Sequence, residues 1–208
     1  MTYLVKTIQA VKDYDSAIVA GRREFDVAKE QILATYSNTL AAEKLGEARE
    51  ALTAFEMKET ALAREAVAAD FAEAKKAILE FVSKSVPDDF PATLAALQVR
   101  GERITDLEAE SFLNKYEGNY TAYSAVLHVL NCNGKAAKAH ILTPDNLKDE
   151  IEAIEKRVLH WIQNRTSGGF DSEYYTRLFT KETGNPIMSL AERLENFLAG
   201  GFVINNSR

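Results

Sequence analysis

The sequence predicts an all-α protein: a long helical arm or helical hairpin of coiled-coil character, followed by a smaller C-terminal helical domain. Three observations carry this. Apolar residues recur at three- and four-residue steps along most of the chain. Gly (10) and Pro (4) are scarce among 208 residues, which argues against a turn-rich all-β fold. No alternation of strand type runs longer than about four residues.

The arm comes first. Residues 3–36 read as one amphipathic helix, because Leu4, Val11, Ile18, Phe25 and Ile32 recur every seventh position. Asp15, Arg22, Arg23, Glu24 and Lys29 belong to its solvated face, and Gly21 and Ala28 form a small-residue flank. Ser37, Asn38 and Thr39 offer side-chain oxygens for a new helix start. From Leu40 to Ser83 there is no Pro. Leu45, Ala48, Leu52, Phe55, Glu59, Leu62 and Ala66 form a seam, which slips and continues through Val67, Phe71, Ala74 and Ile78. Alanine saturates this stretch and favours both helix formation and close helix approach. About 44 residues of helix span roughly 66 Å. A compact chain of this size has a diameter of about 43 Å. The arm is therefore expected to protrude or to line an elongated bundle.

Pro87 and Pro91 end the arm, and the expected division is residues 1–86 and 91–208. Beyond it the elements shorten. Thr93–Val99 is a short helix stopped near Gly101. Thr105 and Glu108 form a capping box that opens the next helix. Asn119 or Thr121 starts another, stopped by Asn131-Cys132-Asn133-Gly134. Thr143-Pro144 is a strong helix start, followed by Leu147, Ile151, Ile154, Val158 and Ile162 at helical spacing. Asp171 or Ser172 caps a helix closed by Gly184, and Ser189 opens the last one. Phe202–Arg208 reads as a loose tail or a docking strand.

The search for chemistry comes back nearly empty. There is no phosphate-binding Gly-rich loop, no nucleophile elbow and no zinc-protease helix motif. The residues three before His128, His140 and His160 are Ala125, Ala137 and Arg157, so the Glu-x-x-His pairs of a di-iron bundle are absent. His128 and Cys132 share a helix face, but the pair is better read as a packed helix end than as a metal site. No catalytic residue, metal or cofactor is expected, and the chain is not expected to be an enzyme. A net charge of −6 argues against nucleic acid as a partner. The N-terminal stretch, interrupted by Lys6, Lys12 and Asp13, resembles neither a signal peptide nor a membrane span, which leaves a cytoplasmic location as the expectation.

Residues 105–130 place an acidic helix before Lys115-Tyr116-x-Gly118-Asn119-Tyr120 and a small-residue helix after it. This pattern resembles helical proteins from the structural gene region of bacteriophages and prophages of Gram-positive bacteria. The Ala/Glu/Lys-rich arm is similar in style to their scaffolding or minor head proteins. The end of the chain is not basic, unlike the coat-gripping element of many scaffolding proteins. The resemblance implies virion association, with another phage structural protein as partner.

The expected function is a non-catalytic, self-associating structural or assembly protein. Self-association is assigned to Leu4, Val11, Ile18, Phe25 and Ile32 together with Leu45, Leu52, Phe55, Leu62, Phe71 and Ile78. Partner binding is assigned to Tyr120, Tyr123, Tyr174 and Tyr175, although aromatics at helical spacing also suit a core. A cytosolic protein-binding adaptor and an enzyme with a pocket between helices are the two competing readings.

Overall fold

The computed structural model describes residues 3–135, 140–167, 170–181 and 183–204. The fold is all-α. Its helices are α1 (Val5–Thr35), α2 (Asn38–Val82), α3 (Phe90–Arg100), α4 (Asp106–Lys115), α5 (Tyr120–Cys132), α6 (Pro144–Asn164), α7 (Phe170–Thr180) and α8 (Pro186–Leu198). Short 3-10 turns cover Gly101–Arg103 and Arg165–Ser167. One two-residue antiparallel pair joins β1 (His140–Ile141) to β2 (Val203–Ile204), with His140 opposite Ile204. The chain's end thus docks as a strand as far as Ile204, while Asn205–Arg208 lie outside the described residues.

Local chemistry explains most boundaries. The Thr105 hydroxyl accepts the Glu108 N–H while the Glu108 carboxylate accepts the Thr105 N–H, so the expected capping box is formed. Asn119, rather than Thr121, caps α5 by accepting the Ala122 N–H. Thr143 caps α6 by accepting the Asn146 N–H. Three starts differ from expectation, and the first of them is α7, which begins at Phe170 and so holds the expected caps Asp171 and Ser172 within the helix. α3 begins at Phe90 and takes Pro91 into its first turn, where a missing N–H costs nothing. α8 begins at Pro186 rather than Ser189, because buried Asn185 accepts the Ile187 N–H and donates to the Phe179 carbonyl.

The chain divides into two compact units, residues 2–72 with 152–191 and residues 73–151 with 192–208. This division differs from the one expected at Pro87 and Pro91, since both prolines lie within the second unit. The physical reason lies in the N-terminal stripe, which is not a free arm. Tyr14 donates its hydroxyl to the Ile162 carbonyl at 2.8 Å, and its ring meets Trp161 edge-on at 5.7 Å. α7 also packs along α1.

In the second unit an aromatic cluster forms the centre. Phe202 meets Phe81, Tyr120, Tyr123 and Phe197 with ring centroids 5.2–5.8 Å apart. The Lys115–Tyr120 motif has a fold role at each of its fixed positions. Lys115 pairs with Asp89, and Tyr116 is buried edge-on to Phe90. Gly118 has a φ of 90°, and its backbone lies so close to Gly200 that a Cβ there would sit 2.7 Å from the Gly118 nitrogen. Asn119 caps α5 and also donates to the Ser85 carbonyl, while Tyr120 joins the aromatic cluster.

Candidate interaction surface

The first unit is built on the pairing of α1 with the first part of α2. The pairing is antiparallel, because Thr7 meets Asp70, Tyr14 meets Thr60 and Arg22 meets Glu56. Each of these polar rungs is specific. Asp70, 6% exposed, accepts both the backbone N–H and the hydroxyl of Thr7 at 2.7 and 2.8 Å. Leu4, which precedes α1, supplies no side-chain oxygen and has a φ of 60°. Asp70 therefore caps the start of α1 from another helix and places negative charge at the positive end of its dipole.

Tyr14 occupies the next rung. Its hydroxyl donates to Ile162 and so leaves its oxygen to accept from Thr60 at 3.1 Å. Burial raises its pKa above the usual 10.0, so the phenol stays neutral and remains a donor. Arg22 closes the series, with Nε donating to Glu56 at 2.9 Å and Nη2 to the Thr166 carbonyl at 2.5 Å. Arg165 pairs with Asp15 at 2.7 Å on the flank, and Arg64 donates to Gln163.

The expected self-association residues fall into two groups. Leu4, Val11, Ile18, Phe71 and Ile78 are buried within the chain itself. They hold the fold and offer no surface to a second copy. Phe25, Ile32, Leu45, Leu52 and Phe55 are half-buried, and Leu62 is 51% exposed. The heptad stripe is thus fully covered as far as Ile18 and only partly covered at Phe25 and Ile32. Around the turn between α1 and α2, Val27, Leu33, Tyr36 and Leu40 are 40–56% exposed.

The four tyrosines assigned to partner binding divide between the two units. Tyr120 and Tyr123 belong to one unit and Tyr174 and Tyr175 to the other. Tyr120 and Tyr123 pack on Phe202, and burial raises the pKa of both. Tyr175 stacks on Phe179. Tyr174 alone among these four is exposed.

The described residues hold no group of three or more His, Cys, Asp or Glu placed to bind a metal. His128 Nε2 and Cys132 Sγ lie 3.7 Å apart on an exposed helix face. No described helix is long and apolar enough to cross a membrane. What sequence reasoning missed are the polar rungs, whose partners are distant in the chain, and the open face of the hairpin. The small-residue flank at Gly21 and Ala28 was the signal for the second. No family model, no curated protein and no solved structure matches this chain.

Proposed function

We propose that this chain is a non-catalytic, self-associating structural or assembly protein, and that the end of the α1–α2 hairpin near its turn is the self-association element. The observation that carries this reading is the exposure of Val27, Leu33, Tyr36 and Leu40 beside the half-buried Ile32 and Leu45. Two helices alone cannot enclose a seam of this width, and a second hairpin laid against it gives a four-helix arrangement that does. Charge permits the pairing. From Arg22 to Glu50 the bases Arg22, Arg23, Lys29, Lys44 and Arg49 nearly balance six acids, whereas the whole chain carries −6. A place in a phage particle is the narrower form of this reading, and its support is the resemblance of residues 105–130.

The test is mass by light scattering on the full chain beside Leu33→Asp/Leu40→Asp. Both positions are exposed, so helicity by circular dichroism should hold while the oligomer falls to single-chain mass. A full chain that runs as a monomer at tens of micromolar, typical of weak association, overturns the proposal.

A further inference from the structure

Along one face of the first unit, α1 and α2 leave an open groove. Two depressions of about 300 and 320 Å³ lie in it. The first is lined by Gly21, Phe25 and Ala28 from α1 and Ala48, Leu52 and Phe55 from α2. The second is lined by Ala10, Tyr14 and Ala17 with Leu62, Ala63 and Ala66. The two linings are one register. Ala10 and Ala17, Tyr14 and Gly21, Ala48 and Phe55, and Phe55 and Leu62 are each seven apart, so they fall on a single face of each helix. The depressions are two stations of one groove about 19 residues, or roughly 28 Å, long.

Its dimensions suit a helix. The Phe55 ring is seated on Gly21, where a Cβ would lie 2.6 Å from it. The alanines of the lining let a third backbone approach to about 8–10 Å, and Phe25, Leu52, Phe55 and Leu62 supply apolar area for its central stripe. Its charge chooses among helices. The charged residues that line the two stations are Asp13, Glu24 and Glu59, and neither station is lined by Lys or Arg. Asp13 accepts from Gln9 Nε2 at 2.7 Å, which leaves its negative charge in place. A second copy laid face to face would bring the same three carboxylates against them, so this groove repels its own kind.

We propose that the groove docks an amphipathic helix of another protein, with small or aliphatic residues in its central stripe and Lys or Arg along its edges. The site is separate from the exposed cluster around Leu33 and Leu40, and the proposal does not depend on self-association.

The probe is a 21-residue synthetic helix with an Ala/Leu stripe and Lys edges, compared with the same peptide carrying Glu edges. Binding of each labelled peptide to the full chain is followed by fluorescence anisotropy. The Lys peptide should bind at least about tenfold more tightly than the Glu peptide, with the difference shrinking as salt rises. Ala51→Trp fills the groove from an exposed lining position and should abolish binding with circular dichroism unchanged. Asp13→Lys/Glu24→Lys/Glu59→Lys should reverse the preference toward the Glu peptide. Equal affinity for the two peptides, no binding of either, or binding insensitive to Ala51→Trp overturns the proposal. A loss of oligomer mass in Ala51→Trp identifies a second copy as the occupant and overturns it as well.

Discussion

The two units reach stability by different routes. In residues 73–151 with 192–208, α3, α4 and α5 have 11, 10 and 13 residues, and the caps that start α4, α5 and α6 come from residues within three positions. In residues 2–72 with 152–191 the frame is the 31-residue α1 with the greater parts of α2 and α6, α7 alone being as short as α3, and the polar bonds join residues 63, 144, 148 and 150 positions apart. Short helices are marginal alone, so their ends must be specified and their centre filled with rings. Long helices need no such help to form. They need something to decide which part of a continuous apolar stripe is inside. The polar rungs at Thr7, Tyr14 and Arg22 do this, and the stripe is only partly covered where they stop.

The largest expected effects come from each unit's centre. Phe202→Ala removes a ring held by four others and should cost about 3–5 kcal/mol, and Ile18→Ala about 2–5 kcal/mol. Hydrogen exchange read element by element sharpens the comparison. Phe202→Ala should lower protection in α5 first, and Ile18→Ala in α1 first. If either substitution lowers both equally, the chain opens as one cooperative body and the distinction between the units fails.

Asp70→Ala tests the rungs. It leaves the Thr7 N–H and hydroxyl buried without their acceptor, which costs about 1–3 kcal/mol. The loss should appear as fraying of the start of α1, while the caps of α4 and α5 stay intact. Asp70→Asn keeps an acceptor and should cost less. If the two variants are equally damaging, the carboxylate's charge at the helix end matters more than its hydrogen bonds.

This difference also decides what could be read in advance. All-α content, the break between α1 and α2 at residues 36–37, the capping box at Thr105 and the start at Thr143 follow from local side-chain chemistry, which a sequence displays. Pro91 misled because proline is barred from a helix interior yet welcome in a first turn, and the sequence does not say which position it holds. The Thr7–Asp70 and Tyr14–Ile162 bonds were invisible, because no local pattern pairs residues so far apart. The candidate surface was half legible. Seven-residue spacing gave the direction in which Leu4 through Ile32 face, but not how far along that line the rest of the chain covers them.

Tyr14→Phe isolates a single rung at smaller cost. The ring stays edge-on to Trp161, while the Ile162 carbonyl and Thr60 lose their partner. The expected loss is about 1 kcal/mol in a denaturation midpoint, well below that of Ile18→Ala. A loss as large as the core truncation would mean that this one bond, rather than apolar burial, fixes α6 against α1.

The smallest effect belongs to the local caps, and pH reads it. Hydrogen bonds from the Thr105 backbone N–H, then from Arg100 and the Thr105 hydroxyl, hold the Glu108 carboxyl at a pKa of about 2, below its ordinary 4.5. The folded state thus favours the charged form more than the unfolded chain does. The stability this group contributes is complete above the ordinary value and is lost as pH falls from about 4.5 to about 2. Glu108→Gln keeps an acceptor for Thr105 but cannot titrate. The gap in stability between native chain and variant should be widest near neutral pH and close as the solution is acidified, measured by denaturant unfolding at several pH values. Other carboxylates titrate equally in both proteins, so their contribution cancels in the difference. Because the side chain is solvated, the gap should be small beside that of any buried substitution above. A gap that stays constant down to acid pH would mean that packing against Arg100, not the ionised cap, is what Glu108 contributes to α4.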